Sequence, residues 1–235
     1  MKFAIISAGE GSRLAQEGVQ LPKPLVQLNG EAMVDRLVRI FAQNGAEQVV
    51  IIINNEVPLT KEHMLALQQK SEVPIELIIK TTPSSMHSFY ELSRYLKDDK
   101  FCLTTVDTIF REDDFSKYIE AFKQSDADGV MAVTDFVDDE KPLYISTDDE
   151  LTITGFHDAA TPQCKFISGG IYCLTPKAIV TLEKCMANGL SRMRNFQRQL
   201  VADGLHLEAY PFSKILDVDH ADDIQKAEAF LKDNN

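Results

Sequence analysis

FAIISAGEGSRLAQEGVQLPKPL, from Phe3 to Leu25, is the stretch on which the fold turns. Four apolar residues, Phe3 to Ile6, suit a strand covered on both faces of a sheet. The chain leaves that strand at Ser7, passes two glycines, Gly9 and Gly11, and continues through Arg13 to Pro22-Lys23-Pro24. Glycines at a strand end permit backbone angles and a close approach that side chains block. The N–H groups bared in such a turn can face phosphate oxygens. Arg13 adds a planar fork suited to two phosphate oxygens, and Lys23 adds a compact point charge. Prolines on both sides of Lys23 restrict its backbone and aim its side chain.

Two better-known phosphate motifs do not fit this stretch. The dinucleotide fingerprint GxGxxG needs a glycine where Leu14 stands and a helix at once, whereas Pro22 and Pro24 interrupt any helix running on from the turn. The P-loop ends in GK[ST], which is absent here.

Outward from this stretch, apolar runs rich in Ile and Val alternate with amphipathic segments. Strands are predicted at 3–7, 48–53, 75–79, 101–106 and 129–134, with helices at 32–44, 59–70, 85–96 and 115–124 between them. Asn44-Gly45 supplies the left-handed residue with which helices end. Alternation of this kind predicts parallel strands joined by right-handed crossover helices. The fold class is therefore α/β, a three-layer α/β/α arrangement on a Rossmann-like mixed sheet. After Val137 the rhythm changes: 143–147 and 151–156 flank Asp148-Asp149-Glu150 as a hairpin, and 166–174 reads as another strand. Pro176 opens a helix at its first turn. A helix at 193–202, a strand at 205–210 and a helix at 222–231 finish the chain. The reading is one domain over 1–235 with a small substrate-side insertion at about 138–172.

Composition narrows the function classes. The 235 residues are 44% hydrophobic and 26% charged, ordinary values for a globular chain, and the net charge is −12. That balance argues against a nucleic-acid partner, because phosphate backbones are bound by clustered Lys and Arg. Cys102, Cys164, Cys173 and Cys185 form no CxxC pair and read as reduced, mostly buried thiols. The first apolar run is too short for a signal peptide, and no stretch approaches a membrane span. The expectation is a cytoplasmic protein without a membrane partner.

GEGSR, eight intervening residues and PKPL resemble the signature of the sugar-1-phosphate nucleotidyltransferases. VQLNGEAMVDRLVRIFAQNGAEQVVIII, from Val26 to Ile53, continues the family pattern of a small-residue turn, a helix and the second strand. The resemblance implies that an acceptor's phosphate oxygen attacks the α-phosphorus of an NTP and releases pyrophosphate. It assigns Arg13 to the leaving phosphates and Lys23 to the α-phosphate, with Ala8, Gly9, Glu10, Gly11 and Ser12 shaping the nucleotide loop. The segment TTPSSMHSFYEL, from Thr81 to Leu92, takes the place of the family's Gly-Thr-Ala at a helix head. Ser85 and His87 are its candidate nucleotide contacts. On this reading Lys23→Ala lowers turnover by orders of magnitude and leaves the thermal midpoint nearly unchanged.

The resemblance also implies Mg2+, which asks for only one or two protein carboxylates. Asp107 follows FCLTTV and matches the family's metal-binding aspartate. In DVDHADDIQKAEAFL, from Asp217 to Leu231, Asp219 matches an Asp-Thr-Pro-Glu-Asp-Leu segment, while relatives reading Asp-Ile-Gly-Thr select Asp217 instead. Ser168-Gly169-Gly170-Ile171-Tyr172 is similar to the strand whose glycines, here Gly169 and Gly170, face the acceptor. One departure stands out: where the family carries Glu-Lys-Pro after the hairpin, this chain has FHDAATPQCKF, leaving Lys165 as the candidate lysine. Glu140-Lys141-Pro142 occurs before the hairpin, out of that position.

Structural alternatives stay open for several of these residues. Asp219 ahead of a helix fits an N-cap, as do Ser84 and Ser85. A double glycine in a strand fits a bulge, and His87 fits a surface histidine. Other functions stay open too: a CTP-dependent transferase acting on phosphocholine or a similar alcohol phosphate, a silent nucleotide-binding relative, and a glycosyltransferase using a nucleotide sugar. The partners implied by the leading reading are an NTP and a phosphorylated small-molecule acceptor.

Overall fold

The computed structural model describes residues 1–9, 11–138 and 140–232. In chain order its elements begin with β1 (Lys2–Ser7), α1 (Ser12–Gln16), β2 (Gln27–Leu28), β3 (Glu31–Ala32), α2 (Met33–Gln43), β4 (Val49–Ile53), α3 (Pro58–Lys70), β5 (Ile75–Ile79), α4 (Ser85–Ser93) and β6 (Phe101–Thr105). They continue with β7 (Thr108–Phe110), α5 (Glu112–Gln124), β8 (Gly129–Thr134), β9 (Tyr144–Thr147), β10 (Ile153–His157), β11 (Cys164–Leu174), α6 (Lys177–Ala187), α7 (Met193–Ala202), β12 (Leu207–Pro211), β13 (Ile215–Asp217) and α8 (Ala221–Lys232).

The apolar runs become adjacent parallel strands in the order β6-β1-β4-β5. Their registers align Ile53 with both Ser7 and Ile79, and Ile6 with Thr105, so four carboxyl ends finish at one edge. That edge is where open α/β sheets bind ligands. Beyond β6 the sheet is mixed: β11 pairs antiparallel with β6, β8 and β9, and β9 with β10, while β12 pairs parallel with β8. The segment 144–174 thus adds three strands to the main sheet.

Alternation along β1 and β4 sends successive side chains to opposite faces. Phe3, Ile5, Val49, Ile51 and Ile53 pack on one face with Phe41 of α2 and Phe115 and Phe122 of α5. Ala4, Ile6, Val50 and Ile52 pack on the other with Phe89 of α4, Leu182 of α6 and Phe196 of α7. Helices on both faces explain why these strands are apolar throughout rather than alternating. The result is the three-layer mixed α/β arrangement predicted from the sequence.

The short elements α1, β2, β3, β7 and β13 were not predicted. A single turn of helix, α1, fits between Gly11 and the prolines. More consequential is a ribbon of two three-residue strands: Ile215 lies opposite Phe110, Leu216 opposite Ile109 and Asp217 opposite Thr108. This ribbon carries the C-terminal segment onto the turn that holds Asp107, where the Val218 N–H donates to the Asp107 carbonyl at 3.1 Å. All four cysteines are free thiols. Among the described residues, no helix is long and apolar enough to cross a membrane.

Candidate active site

The four aligned strand ends wall a cleft of about 450 Å³. The turn after β1 contributes Ala8, Gly9, Gly11, Ser12 and Arg13, and Lys23, Asp107 and Asp219 line the cleft beside it. Glu10 lies outside the described residues. Of the two glycines, Gly11 is held in the left-handed region at φ 60°, and a Cβ there would stand 3.0 Å from the Lys23 Cβ. Gly11 is therefore glycine for its backbone angle and for the approach of Lys23.

Lys23 opens a short 3-10 turn, with the Leu25 N–H bonded to the Pro22 carbonyl at 2.8 Å. Its Nζ contacts a carboxylate oxygen of Asp107 and donates to Asp219 Oδ1 at 2.6 Å. Arg13 Nη1 donates to the other oxygen, Asp219 Oδ2, at 3.0 Å. Only 13% of the Lys23 side chain is exposed. Burial alone would depress its ammonium, but the two carboxylates outweigh that and push it above the ordinary lysine range. Burial likewise works to raise the Asp107 carboxyl, and the Lys23 ammonium wins, holding it below the usual carboxylate range. Both groups are thus charged at neutral pH.

The structure divides the two C-terminal aspartates. Asp219 faces Lys23 and Arg13, while Asp217 lines a neighbouring cleft and not this one. Asp219 does not cap α8: the Ala221 N–H donates to Glu17 Oε2 at 2.7 Å, and Asp223 Oδ2 accepts from the Asp219 N–H at 3.1 Å and the His220 N–H at 2.8 Å. That leaves both Asp219 oxygens to the cleft.

Other walls come in part from residues the sequence reading did not single out, Asn54, Thr81, Thr82 and Ser88. Asn54 directly follows β4, and its Oδ1 accepts from the Thr81 hydroxyl and the Glu56 N–H, both at 2.8 Å. Thr81, Thr82, Ser84, Ser85 and Ser88 form a hydroxyl-rich wall beyond β5. Asn54 had a usable signal, as the first polar residue after VVIII; the hydroxyl wall had little beyond its loop composition. Ser85 lines this cleft and His87 does not; the His87 Nδ1 instead pairs with the Ser84 hydroxyl at 2.8 Å.

The neighbouring cleft, about 410 Å³, shares Arg13 and Asp219 with the first. Ser168, Gly169, Thr134 and Phe136 line it, together with Asp138, Glu140, Asp217, Asp222 and Asp223. Lys226 lies near three of these carboxylates, 3.0 Å from Asp223, 3.4 Å from Asp138 and 3.7 Å from Asp222. His220 bridges Glu17 at 2.6 Å and Glu140 at 3.5 Å, and the Glu17 bond raises its imidazole above the ordinary value. Gly170 and Lys165 line neither cleft, and Lys165 is exposed on β11.

Asp107 and Asp219 converge on a single cation, the Lys23 ammonium. Two carboxylates with space for water and phosphate oxygens make the donor set that magnesium takes. Among the described residues, no group of three or more His, Cys, Asp or Glu gathers into an all-protein cage.

The profile of the nucleotidyl transferase family matches residues 2–234, so the chain belongs to that family. It is similar to a mannose-1-phosphate guanyltransferase of Yarrowia lipolytica, 24% identical over 183 residues that cover 76% of this chain and 50% of the relative. It is as similar to a choline-phosphate cytidylyltransferase of Streptococcus pneumoniae, 24% identical over 253 residues that cover 100% of both. The chain spans about half the length of the mannose-1-phosphate guanyltransferases it matches. The solved inositol-1-phosphate CTP transferase from T. maritima superposes with a TM-score of 0.81 at 18% identity, covering 99% of this chain and 96% of that one. At that identity the likeness speaks for the fold.

Proposed function

We propose that this protein transfers the nucleotidyl group of an NTP to a sugar 1-phosphate, releasing pyrophosphate and forming an NDP-sugar. The observation that carries this reading is the convergence of Lys23, Arg13, Asp107 and Asp219 beneath a glycine turn at the carboxyl edge of the sheet. An oxygen of the acceptor phosphate attacks the α-phosphorus; the bond to the β-phosphate oxygen breaks, and pyrophosphate leaves with that electron pair. No general base is needed, because a phosphate monoester is largely ionised near neutral pH. Catalysis is then positioning and charge stabilisation.

Lys23 meets the α-phosphate and Arg13 the leaving phosphates, where negative charge grows in the transition state. Ala8, Gly9, Gly11, Ser12 and Ser85 frame the nucleotide. Asp107 and Asp219 are the residues that would hold magnesium, which offsets phosphate charge when bound. Gly169, on the wall of the second cleft, faces the acceptor. The strand end that carries Asp107 reads Val106-Asp107-Thr108, without an Asp-x-Asp, which weighs against a glycosyltransferase reading.

A second reading is favoured by the acidic wall of the second cleft. Five carboxylates besides Asp219 surround a space that Arg13, Lys226 and His220 neutralise only in part. An acceptor with a positively charged head, such as phosphocholine used with CTP, meets that wall favourably, and Phe136 adds one aromatic face. A pyrophosphate-release screen of the common NTPs against sugar 1-phosphates and phosphocholine decides between the two. Release with a sugar 1-phosphate supports the first reading, and release with phosphocholine and CTP alone the second. No release with any pair overturns both and favours a silent nucleotide-binding relative.

A further inference from the structure

Asp107 sits in the short turn between β6 and β7, where the main sheet ends at Thr105 and the ribbon begins at Thr108. Two threonines therefore flank it, and their hydroxyls meet across the turn at 2.7 Å. Thr108 is fully buried, while Thr105 lines the nucleotide cleft. Within the pair one hydroxyl donates and the other accepts. The pair ties the last residue of β6 to the first of β7 and so spans the turn that carries Asp107. Backbone bonds brace the same turn from the ribbon side, through Val218 N–H to the Asp107 carbonyl.

Gly170 closes the arrangement from β11. Its φ is 73°, and a Cβ there would stand 3.1 Å from the Thr108 hydroxyl oxygen and 3.7 Å from that of Thr105. Room for this hydroxyl pair gives Gly170 a reason to be glycine that needs no acceptor contact.

We propose that Thr105, Thr108 and Gly170 act as positioning residues that clamp the Asp107 turn and aim its carboxylate at the metal. This rests on the reading of Asp107 as a metal-holding residue. Groups that hydrogen-bond behind a metal ligand fix its orientation, and their loss weakens metal affinity by roughly 10–100-fold. Valine keeps the shape of threonine and removes the hydroxyl.

The test is a Mn2+ titration followed by electron paramagnetic resonance, run beside thermal melts and acceptor KM measurements. Thr108→Val is expected to weaken Mn2+ binding about tenfold, with Thr108→Ser close to the unmodified protein and acceptor KM unchanged. Gly170→Ala is expected to follow Thr108→Val. Should Thr108→Val fail to fold, Thr105→Val at the cleft edge carries the same expectation. Unchanged Mn2+ affinity in Thr105→Val and Thr108→Val, or equal weakening in Thr108→Ser, overturns the clamp and leaves the proposed function standing. A Gly170→Ala variant that raises acceptor KM alone also overturns it. Absence of Mn2+ binding by the unmodified protein instead removes the metal reading of Asp107, and the clamp with it.

Discussion

Lys23 holds together two carboxylates that would otherwise repel each other. Lys23→Ala is expected to lower turnover by about a thousandfold through lost charge stabilisation. It is also expected to cost about 1–3 kcal/mol of stability, short of the value for a fully buried pair because Asp219 is 44% exposed. The sequence reading, which leaves the midpoint unchanged, is corrected on this point: it had no view of Asp107 and Asp219 converging on one ammonium. Adding Asp107→Asn to Lys23→Ala should recover part of the melting temperature and none of the turnover. Gly11→Ala tests the same contact from the other side, since it imposes a strained φ and presses on Lys23. Steady-state kinetics should show turnover falling more than stability. The glycine turn and its two cations were legible because they lie within one short stretch. The choice between Asp217 and Asp219 was not, because it depends on the register of β13 against β7, about a hundred residues earlier in the chain.

Among the elements, the long ones announced themselves and the short ones did not. VVIII and the amphipathic α2 have enough residues for a period to show, whereas β7 and β13 have three each. One contact from α5 braces the irregular strand β11. The Tyr118 hydroxyl donates to the Val130 carbonyl at 2.6 Å and accepts from the Cys173 N–H at 2.8 Å, entering the ladder between paired residues of β8 and β11. Tyr118→Phe leaves that buried N–H unsatisfied, and calorimetry should show a loss of about 1–3 kcal/mol.

Asp128 ties three further elements, bonding Lys177 of α6 at 2.7 Å and the His206 N–H ahead of β12 at 3.0 Å from the start of β8. Burial acts to raise its carboxyl, but these bonds prevail and hold it below the usual range. A depressed carboxyl stabilises the fold above its unfolded value, about 3.9, and that gain is lost as pH falls through the folded value. Asp128→Asn should therefore melt about 2–4 °C lower at neutral pH, with the gap to the unmodified protein closing in acid.

Across the whole molecule, function arises where two halves of different construction meet. On the proposed function the parallel strand ends face the nucleotide, while the segment after β8, the strand β13 and the start of α8 supply an acidic wall. The first could be inferred from alternation alone. The second gathers Asp138, Glu140, Asp217 and Asp223 from separate segments, and Glu140 enters it from outside the position that the family's Glu-Lys-Pro holds. No local pattern encodes such a wall, so the acceptor was the least legible part of the chain. Lys226→Gln should make the wall more acidic still. Competition kinetics should then show a preference shifted toward positively charged acceptors over sugar 1-phosphates.

The central claim is that an acceptor phosphate attacks the α-phosphorus held between Lys23 and Arg13. Phosphorus NMR on a turnover with acceptor labelled by oxygen-18 in its phosphate tests it most directly. The account predicts label in the oxygen bridging the two phosphorus atoms of the product, none in the pyrophosphate, and product forming about a thousandfold more slowly with Lys23→Ala. Label appearing in pyrophosphate, or undiminished product from Lys23→Ala, would contradict it.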